Sequence, residues 1–97
     1  MGYLVYHRVA DEMQILRIAV APRFRRGGLA RILLRRGIAD ARAEGARIAV
    51  LETRPANEPA RRLYESFGFH AVGRRTGYYS GTGEDALILT ATLKEGE

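Results

Sequence analysis

The sequence predicts an α/β domain of the α+β kind, a mixed central sheet with elements in the order β-β-α-β-α-β-β. Three observations predict it. Strand-like runs rich in aromatic and β-branched residues stand at both ends and in the middle of the chain. Two segments between them carry apolar residues at i, i+3, i+4 and i+7 spacing. Gly, Pro, Asn or Asp marks the junctions. At 97 residues the chain is a single domain (1–97) with one modest core.

The first strand is YLVYHRV at 3–9, and ADE at 10–12 is a plausible hairpin turn into MQILRIAV at 13–20. Pro22 should stop that second strand. Ala30, Leu33, Leu34, Gly37, Ile38 and Ala41 then form the apolar stripe of a helix, with Arg31, Arg35 and Arg42 largely on its other side and Gly45 as its stop. RIAVLET at 47–53 is a near-continuous apolar run, expected of a central strand covered on both faces. Asn57 can cap a second helix, with Pro59 tolerated in its first turn. Ala60, Leu63, Tyr64 and Phe67 are its buried stripe and Gly68 its end. Two more strands, 69–75 and 85–93, are joined by the turn-rich GYYSGTGE, which places Tyr78 and Tyr79 in a loop.

Composition narrows the function classes. Hydrophobic residues are 46% and charged residues 28%, a soluble globular balance. No apolar run reaches the roughly 20 residues of a membrane span, and the start has no secretory layout, so a cytoplasmic protein without a membrane partner is expected. With no cysteine there is no disulfide framework or thiolate zinc site, and the isolated His7 and His70 do not suggest a metal centre. The net charge of +5 implies attraction to phosphates, RNA or an acidic peptide, almost all of it from arginine because Lys94 is the only lysine. Nucleic acid is the weakest of these partners, because no aromatics are interleaved with the arginines as a base-stacking platform.

PRFRRGGLAR at 22–31 sits where a strand ends and a helix begins. A helix start has backbone N–H groups without intrahelical partners and a positive dipole end, which suits a phosphate. The stretch is neither a Walker A loop nor a G-x-G-x-x-G dinucleotide fingerprint. Glu52, at the carboxyl end of its strand, shares a face with Ile48 and Val50. A carboxylate among apolar neighbours is poorly solvated as an anion, which suits a general base; pairing with Arg54 is the plainer alternative. Tyr64 lies on the apolar stripe of its helix, which fits a core residue with its hydroxyl bonded elsewhere.

These residues resemble the GNAT superfamily of N-acetyltransferases. Its acetyl-CoA signature, Arg/Gln-x-x-Gly-x-Gly/Ala, is matched in order by Arg25, Arg26, Gly27, Gly28, Leu29 and Ala30. LETRPANEPARRLYESFGF at 51–69 is similar to the other half of the family pattern, in which an asparagine opens a helix, a tyrosine follows seven residues later and Gly-Phe closes it. Together with YY and EDALIL, the blocks resemble the RimI-type N-terminal protein acetyltransferases over most of the chain.

The resemblance implies a partial GNAT acyl-CoA acyltransferase fold and acetyl-CoA as cosubstrate, with no metal. It implies that the backbone around Arg26 to Ala30 takes the pyrophosphate, with Arg25, Arg26 and Arg31 as charge partners. Ile18 and Val20 would offer backbone groups to the pantetheine arm, one amide serving as oxyanion donor. Asn57 would contact the same arm. Glu52 would be the general base, Tyr64 would protonate the leaving thiolate, and Tyr78 and Tyr79 would shape the cleft for a protein or peptide amine. Relative to the family, the cofactor-binding half is expected to be complete and the amino-terminal strands and helices absent. That leaves the strand at 3–9 as an exposed edge where a homodimer could form, and it keeps open a module that binds acetyl-CoA with little or no turnover.

Overall fold

Among the described residues, seven elements follow in the expected order: β1 (Gly2–Val9), β2 (Glu12–Val20), α1 (Leu29–Ala43), β3 (Ile48–Thr53), α2 (Glu58–Glu65), β4 (His70–Tyr79) and β5 (Glu84–Thr92). The computed structural model describes residues 2–20, 28–79 and 84–93. The strands form one sheet in the order β1-β2-β3-β5-β4. β1 with β2, and β4 with β5, are antiparallel hairpins. β2 and β3 are parallel, a pairing that requires a crossover, and α1 supplies it. β1 lies at the sheet edge, as expected.

Strand alternation builds a one-sided core. Met13 and Ile15 of β2 pair with Ala49 and Leu51 of β3, which pair with Ala91 and Leu89 of β5. All six are buried on one face, in a single cluster with Leu34 and Ala41 of α1, Tyr64 of α2 and Phe69. Met13, Leu34 and Leu89 are the largest side chains fully removed from water. Truncating such a residue to alanine costs about 2–5 kcal/mol. Gly37 lets α1 settle close on β1, because a Cβ there would stand 2.8 Å from Leu4 Cδ2. The Tyr6 hydroxyl donates to Glu44 Oε1 at 3.2 Å from the same strand. Partial burial, and then the Glu44 carboxylate, raise the pKa of that hydroxyl.

The opposite face corrects the sequence-based expectation for β3. Its burial alternates, with Ala49, Leu51 and Thr53 inside while Ile48 is 39% exposed. Leu16 of β2 and Val5 of β1 are exposed at 58% and 44%. Among the described residues, no helix covers this face. The run at 47–53 reads as doubly buried only because Ile48 and Val50, on the open side, are apolar as well.

The second correction concerns Tyr78 and Tyr79, which belong to β4 rather than to a loop. Pairing resumes after an irregularity between Arg75 and Tyr79, and Tyr79 stands opposite Glu84. The stretch reads as turn chemistry because of its glycines and serine, but the strand continues through Gly77 to Tyr79. Remaining boundaries agree to within a few residues, and Asn57 caps α2 by accepting from the Ala60 N–H at 3.3 Å.

Candidate active site

The parallel ladder between β2 and β3 is short. Its pairs run from Glu12–Ile48 to Ile15–Leu51 and stop, although β2 continues to Val20 and β3 to Thr53. The outer half of β2 stays joined to β1, with Leu4 opposite Ile18 and Gly2 opposite Val20. Glu52 and Thr53 stay joined to β5, opposite Ile88 and Leu87. The sheet therefore opens between β2 and β3, and each lip carries backbone N–H and C=O groups that no neighbouring strand among the described residues takes up. Ile18 and Val20 lie on one lip, the position required of residues that would offer backbone groups to an extended ligand. Glu52 and Thr53 lie on the other.

The two residues at the end of β3 point to different faces. Thr53 is buried on the helix side, while Glu52 is on the open side with Ile48 and Val50, as the alternation predicted. The Glu52 carboxylate is not paired with Arg54. Oε1 accepts from Arg75 Nη2 at 3.0 Å. Oε2 is enclosed and has no hydrogen-bond partner among the described residues. A buried acceptor left unpaired costs about 1–3 kcal/mol, so the geometry favours a donor arriving there.

On the helix side, α1 begins at Gly28, an N-cap with φ 81° and no side-chain cap. That left-handed backbone suits glycine and strains an L side chain. The first turn that follows carries no acidic residue, so the amides of Leu29, Ala30 and Arg31 face outward from the positive end of a helix of 15 residues. Arg25, Arg26 and Gly27, the other residues expected at a pyrophosphate, lie outside the described residues, as does Pro22. Arg31 is held by a cation–π contact, its guanidinium carbon 5.5 Å from the Phe67 ring centroid. The start of α1 and the residues just past α2 are thus neighbours. Gly28→Val is expected to cost about 1–2 kcal/mol through the unfavourable φ. A chemical-denaturation melt of the variant beside the unaltered chain would read that loss.

Asn57 uses Oδ1 for the α2 cap, leaving its amide nitrogen as the donor for any ligand. Tyr64 is buried to 7% exposure, edge-on to Phe69 with ring centroids 5.9 Å apart. The two candidate catalytic residues thus stand on opposite faces of the sheet, Tyr64 on the helix side and Glu52 on the open side. The opening between β2 and β3 lies between those faces. Sequence reasoning missed Arg75 as the partner of Glu52. The signal was the register of β4 on β5, which cannot be read across a hairpin with two irregularities. Among the described residues no cluster of His, Asp or Glu could hold a metal, and no helix is long and apolar enough to cross a membrane.

Comparison with known proteins gives the family and the fold. The model of the acetyltransferase (GNAT) family matches residues 1–69. The ribosomal protein bS18-alanine N-acetyltransferase of Escherichia coli K12 is 41% identical over 94 residues, covering 95% of this chain and 64% of its own length. The crystal structure of the Escherichia coli ribosomal-protein-S18-alanine N-acetyltransferase superposes with a TM-score of 0.88 at 35% identity, over 99% of this chain and 63% of that one. Ard1 from Thermoplasma volcanium gives 0.91 at 29% identity, over 97% of this chain and 64% of its own. The chain thus spans less than two thirds of the length of each. With most of its residues matched and the fold shared, the chain belongs to the GNAT acetyltransferase family.

Proposed function

We propose that the chain is an N-acetyltransferase that moves the acetyl group of acetyl-CoA onto the N-terminal α-amino group of a protein. The observation that carries this reading is the opening between β2 and β3, with a bare helix start on one side of the sheet and the half-enclosed Glu52 carboxylate on the other. The acceptor class follows the relatives, which are named as N-acetyltransferases of a ribosomal protein's alanine. A ribosomal protein as acceptor places the reaction in the cytoplasm.

In this reading the first-turn amides of α1 and the nearby Arg31 bind the pyrophosphate of acetyl-CoA. Backbone groups on the β2 lip and the Asn57 amide orient the pantetheine arm. The acceptor amine approaches from the open face. Its nitrogen forms the new C–N bond to the acetyl carbonyl first, and the C–S bond then breaks. The proton lost by the amine passes to Glu52 Oε2, directly or through a water, and Tyr64 supplies a proton to the departing thiolate. A backbone N–H at the opening steadies the oxyanion that forms between these events.

The test is thiol release from acetyl-CoA in the presence of peptides that differ only in their first residue, with an N-terminally blocked peptide as control. The expected result is release with a free N-terminal alanine and none with the blocked peptide. A second reading is favoured by one observation, that the chain spans under two thirds of its relatives' length. It is a module that binds acetyl-CoA without turning it over. Calorimetric binding of acetyl-CoA with no thiol release from any peptide would select it.

A further inference from the structure

The open face of the sheet carries an ion pair that the acetyl-transfer scheme leaves without a role. Arg75 on β4 and Glu52 on β3 are not neighbours in the sheet, because β5 runs between them. In register, Arg75 stands opposite Ala86, and Glu52 stands opposite Ile88, two residues further along β5. The guanidinium therefore crosses β5 to reach Oε1, and residue 86 is an alanine, with no side chain beyond Cβ to block it. Ala86 is fully buried although it shares the otherwise uncovered face. The adjacent Arg74 pairs with Asp85 at 3.4 Å, while Arg75 reaches Glu52.

We propose that Arg75 is a positioning residue for Glu52. The contact fixes one carboxylate oxygen and with it the rotation of the whole group. Oε2 is then the oxygen left to accept the proton, and it is the one with no partner among the described residues. The inference rests on Glu52 being the general base. A carboxylate that rotates freely presents a lone pair in the reactive direction for only part of the time, and misplacement by about 1 Å can lower a rate by as much as about 100-fold.

The test measures kcat and KM with acetyl-CoA and an alanine-initial peptide, using the whole chain and four variants: Arg75→Gln, Arg75→Lys, Glu52→Gln, and Glu52→Gln combined with Arg75→Gln. Arg75→Gln should lower kcat roughly 10- to 100-fold and leave KM for acetyl-CoA unchanged. Arg75→Lys, which keeps the cation, should recover part of that loss. In the Glu52→Gln background, removing Arg75 should cause no further loss, because the residue it serves is already disabled. An Arg75→Gln chain with unchanged kcat, or one whose loss persists in full in the Glu52→Gln background, would overturn the proposal while leaving Glu52 as base. If Glu52→Gln is itself fully active, or the unaltered chain has no turnover, the reading beneath it fails as well. Arg75 is more than half exposed, so the variants should fold, and an unchanged calorimetric affinity for acetyl-CoA verifies this in each.

Discussion

Glu52→Gln is expected to lower acetyl transfer by about 10²–10⁴-fold, the range typical of losing a general base. The substitution is nearly isosteric and keeps an oxygen for Arg75 at the Oε1 position. It removes only the capacity to take up a proton. Stability should hardly change, because a half-exposed ion pair contributes no more than about 1 kcal/mol. The affinity for acetyl-CoA should also be preserved, since the amides of Leu29 to Arg31 and the Asn57 cap lie on other elements. Steady-state thiol release, paired with a calorimetric titration, separates the two effects. An unchanged rate would reduce Glu52 to the partner of a surface arginine.

Tyr64→Phe should have the second largest effect on catalysis, and a smaller one for a chemical reason. A thiol titrates near 8.5, so a thiolate is a tolerable leaving group even without a donor. The loss should therefore fall at the lower end of the general-acid range, about 10²-fold in kcat. Phenylalanine preserves the ring and its edge-on packing against Phe69, so the melting temperature should fall far less than on truncation. Tyr64→Ala is a different experiment. It empties a core position and costs about 3–5 kcal/mol, a large share of the stability of a small domain. Circular dichroism melts of both variants distinguish the chemical effect from the structural one.

The order of the seven elements was legible because each depends on short-range chemistry. Asn57 and Pro59 start α2, Gly45 and Gly68 follow the two helices, and the stripe at Leu34, Gly37 and Ala41 faces inward as its spacing requires. The face of Glu52 was legible too, since alternation along six residues leaves one choice. What local pattern could not carry was the relation between strands. The bare face of β3 escaped notice because Ile48 and Val50 are apolar whether covered or not. The extension of β4 through Tyr79 ran against glycine and serine that favour turns locally. The Arg75–Glu52 contact depends on a register fixed 23 residues apart in sequence, across two irregularities. The early end of the β2–β3 ladder, which makes the opening, leaves no trace in either strand's composition.

The central claim is that the acetyl group crosses from the helix side of the sheet to an amine held on the Glu52 face. A peptide with both a free N-terminal alanine and an internal lysine tests it in one reaction. After incubation with acetyl-CoA and the chain, fragmentation mass spectrometry locates the added acetyl group. Acetylation of the alanine α-amino nitrogen, lost in the Glu52→Gln variant, is the predicted result. An acetyl group on the lysine side chain, or no transfer from a chain that binds acetyl-CoA, would contradict it.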